Sequence, residues 1–556
     1  MDEAMAKVII DGVTVEIGDH ERLNGIQAAQ RLGTKVPHYC WHPGLSVVAS
    51  CRMCLVETGR LDPATGQVTM MPKVVPACQT PATDGTVFVT DSEKVRAARA
   101  MVEEDLLIRH PIDCPICDKA GECNLQDYHF QHGRPERRAD IKPFTSRRRP
   151  VGDTVTLFVD RCVMCTRCVR FTREITGTSE LMVVNRGAHE EIDVFPGFPL
   201  DNPLSGNVVD LCPVGALGDV DFLYSQRVWF MKRHESVCGG CAQGCSIQVE
   251  ENQDRIYRLK PRENPHINHW WMCDEGRYGF KYVHSDNRLT QVAHQPVAGG
   301  KPAVESGEWE AVLDALDRDL RSAGRLAAVL SPFLTVEEAY LLAKYVRQLD
   351  PQALLAVGPI PQQGEDVSFP NGFTIRAEKC PNRRGVETIV SRVGGELLHW
   401  DEFLARVPQA GLGAVWVTGG YPEPWIDDAA VETLATVPRI IAQDLFDSPL
   451  WQAAHYRLPG VAYPERAGSF VNIQHRWQSF DWAVRPPVGC RTEASVYWRL
   501  LGRRGLYSPA AVRRELAQEI VDFAAVAGEI PAVGVDLRVG QLADAATHSQ
   551  EIGAKS

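Results

Sequence analysis

Apolar and polar positions alternate at the start of the chain. In the segment VIIDGVTVEI two short runs of period two flank Asp11-Gly12, a dipeptide suited to a two-residue hairpin turn, so the pattern predicts two antiparallel strands. A helix is expected over Glu21 to Leu32, ended by Gly33. From Asp91 to Arg109 the apolar positions Val95, Ala98, Val102 and Leu106 recur at helical spacing. Asp91 or Ser92 is available as N-cap, Glu93 falls in the first turn, and Pro111 stops the helix just after His110. Beyond residue 285 the pattern changes to the strand and helix alternation of an open α/β layer. Leu326–Leu330 reads as a strand, and Thr335-Val336-Glu337-Glu338 as a capping box ahead of the amphipathic run Ala339 to Leu349. Ala414–Thr418 and Arg439–Ala442 read as further strands, and the polar stretch from about residue 540 is expected to fray.

At 556 residues the chain is long enough for several folded units. Its 44% hydrophobic and 23% charged residues are those of an ordinary globular protein. A formal net charge of -12 leaves no excess of Lys and Arg to neutralise phosphates, which argues against a nucleic-acid partner and for proteins and redox groups. Residues 131 to 150 are the local exception. Arg134, Arg137, Arg138, Arg147, Arg148 and Arg149, with several prolines, read as a basic linker that is either a solvated connector or a dock for an acidic neighbour. No apolar stretch reaches membrane-spanning length, and MDEAMAKVIIDG carries acids where a signal peptide has a basic region, so no direct membrane insertion and a cytoplasmic location are expected.

The cysteines change the picture most. Fifteen of the 17 lie between Cys40 and Cys273, and in a large chain expected to stay in the cytoplasm they read as metal ligands rather than a disulfide framework. The first set is Cys40, Cys51, Cys54 and Cys78. Three thiolates in one loop and a fourth from a later segment is the plant-ferredoxin arrangement for a [2Fe-2S] cluster, in which each iron needs two protein sulfurs. The loop departs from the simple pattern, with ten residues rather than four between Cys40 and Cys51. Two strands, a helix and then a cysteine-bearing loop is the order of a small β-grasp ferredoxin domain. The second set is His110, Cys114, Cys117 and Cys123: three cysteines leave one iron of a [4Fe-4S] cubane unligated, and a neutral imidazole can supply the missing bond. Zinc accepts the same donors at similar spacing and stays a rival for this set. The third set, Cys162, Cys165, Cys168 and Cys212, is CxxCxxC plus a distant Cys-Pro, with no second CxxCxxC nearby to share it. The fourth is Cys238, Cys241, Cys245 and Cys273, CxxCxxxC plus a distant cysteine. Four such sets in succession favour an electron wire over zinc staples. Cys380 and Cys490 remain outside and read as structural thiols.

These four motifs in this order resemble the G-type, multi-cluster subunit of NADH:quinone oxidoreductase, respiratory complex I, from about residue 8 to 285. The fourth set resembles the cluster domain at the front of molybdopterin oxidoreductases, retained by some bacterial members of that family. From residue 285 the segments GRYGFKYVHSDNRLT and ERAGSFVNIQHRWQ resemble a molybdopterin oxidoreductase domain more weakly. Glu275 stands where molybdoenzymes usually carry a lysine, and neither Cys380 nor Cys490 is followed by His, so no molybdenum cofactor is expected.

The resemblance implies an α+β multidomain chain. Its expected parts are a [2Fe-2S] ferredoxin-type domain at 1–90, a helical His-ligated [4Fe-4S] domain at 91–140 and a Cys-Pro [4Fe-4S] domain at 141–225. A molybdopterin-oxidoreductase-type [4Fe-4S] domain at 226–285 and a shortened, degenerate molybdopterin-oxidoreductase-like domain at 286–556 complete it. It further implies one [2Fe-2S] and three [4Fe-4S] clusters, with electrons from NADH arriving through a flavin subunit. They would then pass the first, third and second sets and leave to a ferredoxin-like subunit leading to quinone. The fourth cluster lies off that path, and the chain would be peripheral on the cytoplasmic face of the inner membrane. No residue is expected to act as acid, base or nucleophile, because the chemistry belongs to the cofactors. A formate dehydrogenase-like molybdoenzyme and an iron-only hydrogenase are the alternatives with similar N-terminal motifs.

Overall fold

The computed structural model describes residues 5–18, 20–295 and 305–538, so the polar stretch from about residue 540 lies outside it. The chain divides into two compact units, Met1–Met231 with Phe369–Gly372, and Lys232–Ser368 with Phe373–Ser556. Among the described residues no helix is long and apolar enough to cross a membrane.

In the first unit the predicted hairpin is β1 (Met5–Ile10) and β2 (Val13–Gly18). Asp11 and Gly12 both take positive φ, 47° and 84°, the pair of left-handed residues that a tight hairpin turn needs. The Asp11 carboxylate accepts from Thr90 N (2.6 Å) and Thr90 Oγ1 (2.5 Å), which ties the turn to the end of a later strand. With β3 (Leu55–Leu61), β4 (Val68–Met70), β5 (Val75–Pro76) and β6 (Thr86–Val89), the sheet order is β2-β1-β6-β3-β4, with β5 against β3. β6 runs parallel to β1 and antiparallel to β3, and Val8, Ile10, Ile26 and Phe88 fill the core beneath.

The first helix, α1 (Gly25–Gln30), is shorter than the expected Glu21 to Leu32. Asn24 and Gln27 form a reciprocal capping box, and the Glu21 carboxylate accepts from Gly18 N, so residues 21–23 serve the hairpin instead. The second helix, α2 (Glu93–Arg109), starts where Ser92 accepts from Val95 N at 3.2 Å. Its buried row is Val95, Arg99 and Glu103, not the apolar row through Ala98, Val102 and Leu106. Arg99 Nη2 donates to Leu55 O at 3.2 Å and Glu103 accepts from the Tyr39 hydroxyl. Burial lifts the Glu103 carboxyl to about 7. A third helix, α3 (Asn124–His132), packs against α2.

The basic stretch is largely exposed, as a solvated connector is, and several of its arginines pair with acids of this chain. Arg147 pairs with Asp160 and Glu191, Arg149 with Glu191 and Asp193, and Arg134 and Arg138 with Glu104. Arg148–Pro150 forms a short strand against Val155–Phe158.

The second unit opens with an antiparallel meander, Lys232–Val237, Ser246–Asn252 and Arg255–Pro261. Its main sheet has seven strands, of which five are parallel. In chain order these five are Leu326–Leu330, Leu354–Val357, Ala414–Thr418, Ile440–Asp444 and Tyr456–Pro459, and in space they run 2-1-3-4-5, a doubly wound order. Leu326–Leu330 and Ala414–Thr418 are buried along their whole length, which is why they read as apolar runs without alternation. The last predicted strand begins one residue later, at Ile440, and runs on to Asp444. Thr335 and Glu338 form the expected capping box on the helix Val336–Leu349. Its first-turn acids are not solvated as such residues usually are: Glu337 and Glu338 are fully buried, Glu337 accepting from Ser469 and Glu338 pairing with Arg466.

Candidate metal centres

The first set gathers under the loop that follows α1. Its thiols act on one another two by two, Cys51 most strongly on Cys40 and Cys78 most strongly on Cys54. Tyr39 N and Cys40 N both approach the Cys51 sulfur, at 3.5 and 3.4 Å. Ala49 and Arg52, at φ 52° and 58°, bend the loop through left-handed conformations that turn successive amides inward. The hydrogen bond from Cys51 pulls the Cys40 thiol down to about 5.

The second set lies between α2 and α3. His110 is the C-cap of α2 and Cys123 the N-cap of α3, so the helix ends place the first and last donors. Cys117 N donates to Asp113 O at 2.8 Å, closing a turn that holds Cys114 and Cys117 near each other. Cys114 is exposed and Cys117 buried. Burial drives the His110 imidazole down to about 4, which keeps it neutral, the form that can bind a metal. Burial also raises the Cys123 thiol to about 11.

Cys162, Cys165, Cys168 and Cys212 of the third set line one small cavity with Leu157, Ile192 and Val214. Cys162 and Cys165 come from a tight loop in which Met164 and Thr166 take φ 47° and 57°, and Cys168 lies in the first turn of the helix α4 (Arg167–Phe171) that follows. Cys212 is the C-cap of a fifth helix, α5 (Asn207–Leu211). Burial pushes the Cys165 thiol up to about 11 and Cys162 and Cys168 further still.

The fourth set sits at the edge of the meander. Cys238 follows its first strand, Cys245 precedes its second, and Cys238 N donates to Cys245 O at 2.8 Å. Cys273 caps the helix Asp274–Tyr278, its sulfur accepting from Gly276 N at 3.3 Å. A Cβ on Gly276 would stand 3.0 Å from the Cys238 sulfur and 3.4 Å from that of Cys273, so glycine leaves both sulfurs their space. Glu275, at the position where a lysine is usual in molybdoenzymes, is ion-paired with Lys379 at 2.6 Å. Both charges act on Cys238 and Cys241.

One local device recurs in three of the sets: backbone amides donate to sulfur, Tyr39 N and Cys40 N to Cys51, Met164 N to Cys162 at 3.3 Å and Gly276 N to Cys273. Sulfurs held as acceptors of amide protons are prepared to carry negative charge, as metal-bound thiolates do. Burial acts in the opposite direction, so as free thiols most of these residues would be protonated and inert. A bound metal reverses that balance, since a coordinating thiol is deprotonated outright. The donor chemistry therefore fits iron–sulfur clusters. Among the described residues no three His, Cys, Asp or Glu groups converge as ligands of a single metal ion.

Cys380 lies outside the four sets, fully buried beside Phe333 and Tyr421. Cys490 is half-buried, its Sγ donating to Leu289 O at 3.2 Å. The sequence reading missed Arg161, Arg167 and Arg170, which stand buried among the first three sets. Their position beside CxxCxxC was visible, but nothing local marks a guanidinium as buried.

Each set falls inside a region matched by a family model. Residues 3–93 match a 2Fe-2S iron-sulfur cluster binding domain, and 99–138 the NADH-ubiquinone oxidoreductase-G iron-sulfur binding region. Residues 152–218 match the ferredoxin-like domain of NADH-quinone oxidoreductase subunit 3, 231–285 the molybdopterin oxidoreductase Fe4S4 domain, and 401–503 molybdopterin oxidoreductase. The matched regions thus give the chain, of mixed α/β structure, a 2Fe-2S domain, 4Fe-4S domains and a molybdopterin-oxidoreductase domain.

The particular homologues are the G-type subunits of NADH-quinone oxidoreductase. That of Rickettsia bellii is 32% identical over 347 residues, 62% of this chain and 48% of the relative. That of Streptomyces coelicolor is 34% identical over 349 residues, 62% of this chain and 40% of the relative. The chain spans about half the length of the curated relatives it matches. A chain of a solved NAD+-reducing [NiFe]-hydrogenase in the H2-reduced state aligns at 25% identity and TM-score 0.33, covering 40% of this chain and 92% of that one. That score is too low to bear on the fold.

Proposed function

We propose that the chain is the multi-cluster electron-transfer subunit of a proton-translocating NADH:quinone oxidoreductase. In this reading Cys40 and Cys51 hold one iron of a [2Fe-2S] cluster and Cys54 and Cys78 the other. His110, Cys114, Cys117 and Cys123 hold a [4Fe-4S] cluster, as do Cys162, Cys165, Cys168 and Cys212, and Cys238, Cys241, Cys245 and Cys273. Bound clusters take up and release single electrons, and the protein sets their spacing, solvent exposure and hydrogen bonding.

The observation that carries the reading is the way the first three nests abut. Arg167 Nη2 on the third-set loop donates to Trp41 O (2.5 Å), beside Cys40, and its Nη1 to Leu211 O (3.2 Å), beside Cys212. On the other side, Pro213 O, next to Cys212, accepts from Asn124 N (2.9 Å), next to Cys123. The third nest thus abuts both the first and the second, which supports electron passage through it; Tyr39, beside Cys40, also packs on Tyr128 of α3. Entry from a flavin subunit, exit to a ferredoxin-like subunit leading to quinone and a peripheral place on the cytoplasmic face of the membrane are part of the same proposal, supported by the resemblance of the four motifs. The fourth nest, in the other unit, is assigned a structural role, and the domain after residue 285 is assigned none of the molybdenum chemistry of its relatives.

Metal quantification and low-temperature electron paramagnetic resonance on the anaerobically purified full chain test the proposal. About fourteen iron atoms are expected for one binuclear and three cubane centres, with little zinc and no molybdenum. A colourless, zinc-loaded protein would overturn it, as would stoichiometric molybdenum with formate-dependent dye reduction.

A further inference from the structure

Arg170 is 3% exposed and sits where the first and third nests meet. Its Nη2 donates to the carbonyl of Cys40 at 2.5 Å and to that of Cys165 at 3.2 Å, and its Nη1 to Ser46 O at 2.5 Å. One guanidinium therefore bonds to the backbone of a candidate ligand in each nest. All these acceptors are neutral carbonyls. The neighbouring acid, Glu174, accepts instead from Ser46 N (2.9 Å), Ser46 Oγ (2.6 Å) and Arg173 (3.3 Å). Arg161, at the joint of the third and second nests, differs: its guanidinium is ion-paired with Asp113 at 2.8 Å.

A buried charge without a partner is expensive, and the cost is met when an opposite charge stands beside it. Apart from Glu174, the groups whose negative charge favours the Arg170 cation are the thiolates of Cys40 and Cys165. Building on the proposed four-cluster reading, we infer that Arg170 is a positioning residue shared by the first and third nests. Its fork fixes their backbones, and its charge raises the reduction potential of both clusters. The sign follows from electrostatics: reduction adds negative charge, which a nearby cation favours.

The test is a redox titration of the cluster signals in the anaerobically purified full chain carrying Arg170→Gln, Arg170→Lys or Arg161→Gln. Arg170→Gln is expected to lower the midpoints of the first- and third-set clusters by at least tenfold in the reduction equilibrium, 59 mV for a one-electron couple. The second-set midpoint should stay in place. Arg170→Lys keeps the charge and should restore most of the shift, whereas Arg161→Gln, which removes an already neutralised charge, should leave the first-set midpoint unmoved. Full iron content with unmoved midpoints in Arg170→Gln would overturn the inference, and so would equal shifts in the Lys and Gln variants. If Arg170→Gln fails to assemble, Arg170→Lys decides: near-native midpoints support the charge, a tenfold loss overturns it. An unmutated chain without iron would instead sink the four-cluster reading itself.

Discussion

Gly215 lies against the sulfur of Cys117, so closely that a Cβ built on it would overlap Sγ. The loop after one cysteine set thereby floors another, and the contact exists only because residue 215 has no side chain. Gly215→Ala should push Cys117 from its nest at a cost of about 1–3 kcal/mol, the usual range for overpacking. The expected outcome is loss or distortion of the second-set resonance and a fall of about four iron atoms per chain. Retention of the native spectrum would count against Cys117 as a ligand.

The His110 imidazole is held neutral at the end of α2. Exchange for alanine removes one donor and leaves the three other sets as they are. His110→Ala should abolish or shift one cubane signal in the reduced full chain, with the remaining signals at full intensity. An unchanged spectrum would argue against ligation.

In the second unit, burial raises the Glu337 carboxyl from its ordinary 4.5 to about 7, against hydrogen bonds from Ser469 that lower it. Between those values the folded chain holds a proton that the unfolded chain has released. Stability therefore falls as pH rises from about 4.5 to about 7, by roughly 3 kcal/mol from this group. Glu337→Gln should flatten that slope, read as the difference in thermal midpoint between pH 5 and pH 8. The slope should shrink without vanishing, because burial also raises Glu493 to about 7 and Asp444 to about 6.

Arg466 is buried between Glu338 (2.6 Å) and Glu493 (3.3 Å). Arg466→Met strands both carboxylates away from water. A loss of about 3–5 kcal/mol is expected in denaturant unfolding of the second unit. Combining it with Glu338→Gln should recover part of that loss, since the stranded charge is then removed; no recovery would mean that the arginine acts through packing alone.

Much of the site was legible because its signals are local. Cysteine spacings within one loop, the Asp11-Gly12 turn and the Thr335 capping box each depend on a few neighbouring residues, and the turn and the capping box stand in the structure where the sequence places them. The inward face of α2 was not legible. Its apolar row predicts burial of Ala98, Val102 and Leu106, yet Arg99 and Glu103 face inward, where each finds a hydrogen-bond partner far away in the chain, Leu55 O and the Tyr39 hydroxyl. The ion pairs of the exposed arginines in residues 131–150 were not legible for the same reason, their acids lying in other segments.

The sequence by itself determined which donors exist, how they group and which stretches alternate, since composition and short spacing are properties of the chain alone. Only the tertiary structure decided that Arg170 reaches the Cys40 and Cys165 carbonyls together and that Gly215 floors Cys117. Those relations join residues up to 130 positions apart, and that distance is closed by the packing of whole elements rather than by any local preference.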